Sequence, residues 1–297
     1  MPKVDAGALS LQVEELGAGE PLLLIMGVGA QLTLWPQEFV DGLVAEGFHT
    51  IRFDHRDVGL SDRLDHLPPP ALSQLVRAKV ARSRPSFIGY DLHDMARDAI
   101  GVLDALGLAD AHVVGVSMGG MIAQICAIEH PLRVRTLTSI MSSPGDALSS
   151  VGDPRVLQTL VQLRSNSPEE AGESRVALMR AFNPGGPPLD EERVRQSGID
   201  DYRRGANPAG FARHFGAIMA TRNRKRTLGQ IRCPSHIIHG ANDPLVPPRG
   251  GELTAKLIPG ATLQIVEGMG HLLHPDHWAA IIDGIKQCTE RWGGEST

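Results

Sequence analysis

Short apolar runs with few internal charges recur along the chain: PLLLIMG (Pro21–Gly27), HTIRFDH (His49–His55), AHVVGVS (Ala111–Ser117), VRTLTSIMSS (Val134–Ser143), SHIIHGAND (Ser235–Asp243) and ATLQIVEG (Ala261–Gly268). Their length, branched content and scarcity of internal charge predict strands buried on both faces, as a parallel sheet requires. Between them the apolar positions return at helical spacing. In DLHDMARDAIGVLDALG (Asp91–Gly107), Leu92, Met95, Ile100, Leu103 and Leu106 share one face and Gly107 supplies a stop. GMIAQICAIEHP (Gly120–Pro131) and HPDHWAAIIDGIKQCTERW (His274–Trp292) read the same way. Strands alternating with helices predict an α/β fold with right-handed crossovers, and LSLQVEELG (Leu9–Gly17) reads as an antiparallel edge strand.

The alternation breaks from about Pro144 to about Leu228. Helix-like segments follow one another there (PRVLQTLVQL, ESRVALMRAF, LDEERVRQSG, GFARHFGAIMA), separated by turns such as NPGGPP. That is too long for a loop in a compact domain and predicts an inserted helical subdomain. Asp65–Tyr90, irregular and proline-rich, is expected to add to it.

Composition narrows the picture. A chain of 297 residues with 42% hydrophobic and 21% charged residues buries a large core and is neither disordered nor fibrous. The net charge of −5 carries no face-sized block of one sign except RNRKR (Arg222–Arg226), expected to solvate a helix end because no nucleic-acid motif accompanies it. Cys126, Cys233 and Cys288 are too few and scattered for a disulfide framework and read as buried free thiols. No stretch of about 18 apolar residues occurs, and the N-terminus lacks a signal-peptide core, so a cytoplasmic setting without membrane insertion is expected.

Gly115-Val116-Ser117-Met118-Gly119 fits G-x-S-x-G, after a predicted strand and opening a predicted helix. Such a turn holds the serine in a strained conformation at the carboxyl edge of the sheet, and the flanking glycines remove side chains that would collide. A serine hydroxyl needs a base, and the base an orienting acid. Asp243 follows the strand Ser235–Gly240, and His271 sits in a Gly-rich loop 28 residues on, room for one helix and one strand. Asp146 is a second candidate acid and His274 a rival base, read instead as a helix cap or surface residue; His236 and His239 read as packing residues. The N–H groups of Met118 and Val28 are the expected oxyanion donors, Val28 lying in the Gly27-Val28-Gly29 loop.

With these residues assembled, the chain resembles the α/β-hydrolase fold superfamily over nearly its whole length, and is most similar to small bacterial esterases related to aclacinomycin methylesterase. The likeness rests on GVSMGGMIAQ, RFDHRDVGLSD (Arg52–Asp62), GANDPLVP and GMGH; Asp54, Arg56, Gly59 and Ser61 match a family packing loop. One departure is Met26-Gly27, where many relatives carry His-Gly. The resemblance implies a mostly parallel eight-stranded sheet flanked by helices, with residues 1–143 and 229–297 as the core and 144–228 as a cap between strands six and seven. It implies a serine hydrolase cleaving carboxylic esters, with catalytic Ser117, Asp243 and His271, oxyanion donors Val28 and Met118, and no metal or organic cofactor. The expected partner is a small-molecule ester, not nucleic acid, with a homo-oligomer left open. Cap residues Leu160, Leu163, Phe182, Phe211, Phe215 and Met219 suggest a hydrophobic pocket. Lactone, carbon–carbon and perhydrolysis use the same residues, and a non-catalytic receptor or scaffold is the reading from another class.

Overall fold

A computed structural model describes residues 3–71, 89–146, 149–162 and 165–293. Leu163 and most of Asp65–Tyr90 lie outside the described residues. Eight strands form one sheet in the order β1 (Lys3–Ala6), β2 (Leu9–Leu16), β4 (Phe48–Phe53), β3 (Glu20–Ile25), β5 (Ala111–Val116), β6 (Val134–Ile140), β7 (Ser235–Gly240), β8 (Thr262–Val266). The pairs β1/β2 and β2/β4 are antiparallel and the rest parallel.

The sheet departs from expectation at its first edge. The strand at Leu9–Leu16 is antiparallel but not the edge: Lys3–Ala6 folds back on it through a two-residue turn, with Gly7 at φ 73°. Four residues of mixed polarity carry too little periodicity to announce a strand.

Helices α1 (Gln37–Ala45), α2 (Leu92–Ala105), α3 (Met118–Glu129), α8 (Arg249–Leu257) and α9 (Trp278–Glu290) accompany the strands. Asp91 starts α2 by accepting from the His93 and Asp94 N–H groups, and the Asp94 carboxylate in turn accepts from the Asp91 N–H. Helix α3 is apolar nearly all round and lies buried against β5 and β6. Between β6 and β7 stand four helices with no strand among the described residues: α4 (Pro154–Gln162), α5 (Pro168–Phe182), α6 (Glu191–Gly205) and α7 (Pro208–Ala220). Helices α5 and α6 cross closely because Gly172 and Gly198 face each other; a Cβ on Gly198 would lie 3.0 Å from the Gly172 Cα.

The basic run after α7 also departs from expectation. Arg224 is buried, donating from Nε to the Gln124 side-chain oxygen (2.9 Å) and from Nη2 to the Ser143 carbonyl (2.8 Å), so it ties the segment to α3 rather than solvating a helix end. Its neighbours Arg222, Lys225 and Arg226 are exposed. Cys126 and Cys288 are buried, whereas Cys233 is only half-buried. Among the described residues no helix is long and apolar enough to cross a membrane.

Candidate active site

The turn from β5 into α3 leaves no room for side chains. A Cβ on Gly115 would sit 2.2 Å from the Gly119 carbonyl oxygen, and one on Gly119 would sit 2.0 Å from that of Ile25. Ser117 itself adopts φ 55°, ψ −117°, a conformation unfavourable for a residue with a side chain. It is fixed there by its N–H donating to the Ile140 carbonyl (2.9 Å) and by the Ser142 hydroxyl donating to the Ser117 carbonyl (2.7 Å). The side chain thereby stands at the carboxyl edge of the sheet.

Asp243 and His271 come to the same edge from the loops after β7 and β8. The Asp243 carboxylate is divided between two tasks. Its Oδ1 accepts from the Leu245 and Val246 N–H groups (2.9 and 2.8 Å), shaping the turn that the Asp-Pro pair suggests. Its Oδ2 accepts from His271 Nδ1 at 2.7 Å, and His271 Nε2 lies 3.1 Å from Ser117 Oγ. Because Nδ1–H donates to a carboxylate, Nε2 is the free acceptor for the serine hydroxyl. Burial would push the Asp243 carboxyl up, but the His271 charge and hydrogen bonds from His239 and His271 outweigh it and hold it down at about 2.

The other candidates stand elsewhere. The Asp146 carboxylate is engaged by the Ser149 N–H and hydroxyl. His274 does cap a helical turn, accepting from the Asp276 N–H, yet it is buried rather than on the surface. His236 packs between Thr262 and Gln264. His239 is more than packing: its Nε2 donates to the Val246 carbonyl at 2.8 Å and lies 3.4 Å from Asp243 Oδ2. Only its placement four residues before Asp243 hinted at this.

Gly27 faces the serine, a Cβ there lying 3.5 Å from the Ser117 Cβ. Met118 opens α3, so its N–H is one of the helix's free donors, and neither it nor the Val28 N–H is taken up by another backbone carbonyl among the described residues. In front of Ser117 and His271 opens a cavity of about 410 Å³. Leu160, Leu178, Phe182, Phe211, Leu245 and Leu272 give the cavity an apolar lining, to which Arg175, Asp190, Arg193 and Ser197 add polar groups. Phe215 and Met219 are half-buried and do not line it. Phe182, the last residue of α5, sets its ring edge-on to the His271 imidazole (centroids 5.1 Å), and its carbonyl accepts from the His271 N–H (2.7 Å).

The family pattern with this architecture, described as the alpha/beta hydrolase fold, matches residues 20–277. The chain is 32% identical over 293 residues to rhodomycin D methylesterase of Streptomyces peucetius, covering 89% of this chain and 90% of that one. It is 29% identical over 287 residues to 2-hydroxymuconate semialdehyde hydrolase of Pseudomonas sp. strain CF600, covering 93% and 89%. Among solved structures, an esterase from Rhodococcus sp. superposes with a TM-score of 0.75 at 21% identity, covering 98% of each chain. The chain belongs to the α/β-hydrolase fold family.

Proposed function

We propose that this protein is a serine carboxylic ester hydrolase acting on small to medium hydrophobic esters. The observation that supports it most is one continuous line, Ser117 Oγ to His271 Nε2 at 3.1 Å and His271 Nδ1 to Asp243 Oδ2 at 2.7 Å, opening on a mainly apolar cavity. The methylesterase relative at 32% identity favours the same chemistry.

In this reading His271 Nε2 takes the hydroxyl proton as Ser117 Oγ attacks the ester carbonyl. Asp243 holds the imidazole in the productive tautomer and stabilises its positive charge. The Met118 and Val28 N–H groups receive the oxyanion, at a helix N-terminus whose dipole favours negative charge. Collapse of the intermediate expels the alcohol, protonated by His271, and leaves an acyl-Ser117 ester. Water, deprotonated by the same histidine, then releases the acid. Residues 144–228 act as a cap that supplies the cavity's apolar wall and limits water around the acyl group. The free thiols at Cys126, Cys233 and Cys288 suit a reducing, cytoplasmic setting.

Initial rates on p-nitrophenyl esters, from acetate to a long-chain acyl group, test this with the protein and its Ser117→Ala variant. Turnover with an optimum at short to medium chains is expected, falling about 10⁵-fold or more in a folded variant. A folded natural protein no faster than the variant on every ester would refute the reading and bring carbon–carbon hydrolysis or simple ligand binding forward.

A further inference from the structure

The turn bearing Val28 is held by two buried histidines outside the triad. His55, in the loop after β4, is fully buried and its Nε2 donates to the Met26 carbonyl at 2.9 Å. His214, on α7, is also fully buried; its Nε2 lies 2.7 Å from the Arg56 carbonyl, and the Gly29 N–H lies 3.2 Å from its Nδ1. A carbonyl oxygen can only accept, so the proton of His214 sits on Nε2 and Nδ1 is left as the acceptor that Gly29 requires. The tautomer is therefore set by geometry.

Those bonds grip the oxyanion turn from both ends. The Gly27 carbonyl accepts from the Ala30 N–H at 3.4 Å, and in a trans peptide the Val28 N–H must then point the opposite way. Helix α7 adds a second contact. Gly29 stands at φ +65°, and a Cβ on it would meet the Phe211 ring at 2.5 Å, so the turn is pressed against the same helix face that carries His214.

We propose that His214 is a positioning residue for the oxyanion turn: by accepting from the Gly29 N–H it fixes the Gly27–Val28 peptide so that the Val28 N–H faces the oxygen on which charge develops. His55 secures the opposite end through Met26. The two together support the turn on either side of the Gly27–Val28 peptide, and His214 places one anchor of the turn on the helical segment between β6 and β7. This inference rests on the ester hydrolase reading above.

Three variants separate positioning from mere packing. His214→Leu removes both bonds; His214→Asn returns an acceptor near the Nδ1 position; His214→Gln reaches towards Arg56 with its amide and leaves the Gly29 N–H unmet. With a p-nitrophenyl ester as probe, kcat is expected to fall about 10- to 100-fold in the Leu and Gln variants while KM moves less than about threefold, because the contact serves the developing oxyanion. The Asn variant recovers most of that loss, and thermal unfolding of each variant is measured alongside. A folded Leu variant with natural kcat, or an Asn variant no better than Gln, would overturn the inference. If the Leu variant does not fold, the Asn and Gln pair decides. Absence of ester turnover in the natural protein would instead overturn the hydrolase reading on which the inference stands.

Discussion

Along β3 the run Leu22 to Ile25 is fully buried among apolar neighbours on both faces of the sheet, whereas the helices between β6 and β7 reach the same body largely through charge. Arg213 on α7 grips the buried Asp57 carboxylate with Nε at 2.8 Å and Nη2 at 2.5 Å. Arg204 on α6 donates to Asp54 at 2.7 Å; Asp201 accepts from Thr33, and its backbone carbonyl from Gln31, both at 2.6 Å. Among its apolar contacts, Ala217 on α7 reaches the main core, whereas Val156, Leu160, Leu178 and Phe182 form a separate small cluster packed against Val28, Leu245 and Leu272, much of it bordering the cavity. A layer that must leave space above a serine cannot be sealed down by continuous apolar packing, since that packing would fill the space. Directional bonds at its margins hold it in place instead.

Three measurements test that contrast. Asp243→Asn, at the sheet edge, is expected to lower kcat about 10⁴-fold, since an amide in place of the carboxylate favours the wrong histidine tautomer. The turn bonds to Leu245 and Val246 need only an acceptor, so unfolding in urea should shift little. A large loss of stability would mean that Asp243 serves mainly as a turn former.

Arg213→Leu comes next. It strands the fully buried Asp57, whose other bonds come from the Tyr90 hydroxyl (2.8 Å) and the Leu64 N–H (2.7 Å), and is expected to cost about 3–5 kcal/mol in urea unfolding. Replacing both partners with apolar residues should recover much of that loss. If Arg213→Leu costs under about 1 kcal/mol, the helical layer is not anchored by charge.

The smallest effect is one histidine's share of the acid dependence at the junction. Burial pushes His55 down to about 3 and His214 to about 4 from the usual 6.5; His214 faces His55, Tyr90, Asp57, Arg56 and Arg213. Both rings are neutral in the fold and take up protons below pH 6.5 in the unfolded chain. Their contribution is thus complete above pH 6.5 and drains as pH falls towards 4 and 3, at about 1.4 kcal/mol per pH unit for each. Asp243, held at about 2, adds to the loss only below about pH 4. His214→Asn should remove one share of that slope in urea titrations at pH 6, 5 and 4, and an unchanged slope would contradict the assignment of His214 as buried and neutral.

The same contrast explains what the sequence revealed. Strand runs, the glycines about Ser117, Asp243 after β7 and His271 after β8 are local signals, because tight turns and fully buried strands constrain the residues beside them. The anchors are not local. Arg213 and Asp57 are separated by 156 residues, and a charged side chain in a helical pattern reads as solvated unless its distant partner is known. Nothing beside His214 sets it apart from other helix residues, and nothing beside His55 from the rest of its loop. Arg224 follows the same rule: within RNRKR nothing distinguishes the one arginine that turns inward.

The central claim is that Ser117 is an activated nucleophile, and covalent labelling addresses it most directly. The protein, incubated with a fluorophosphonate and followed by intact mass and peptide mapping, is expected to gain one phosphonyl group at Ser117, and none in Ser117→Ala. A folded protein that stays unmodified, or that carries the label at another residue, would contradict the account.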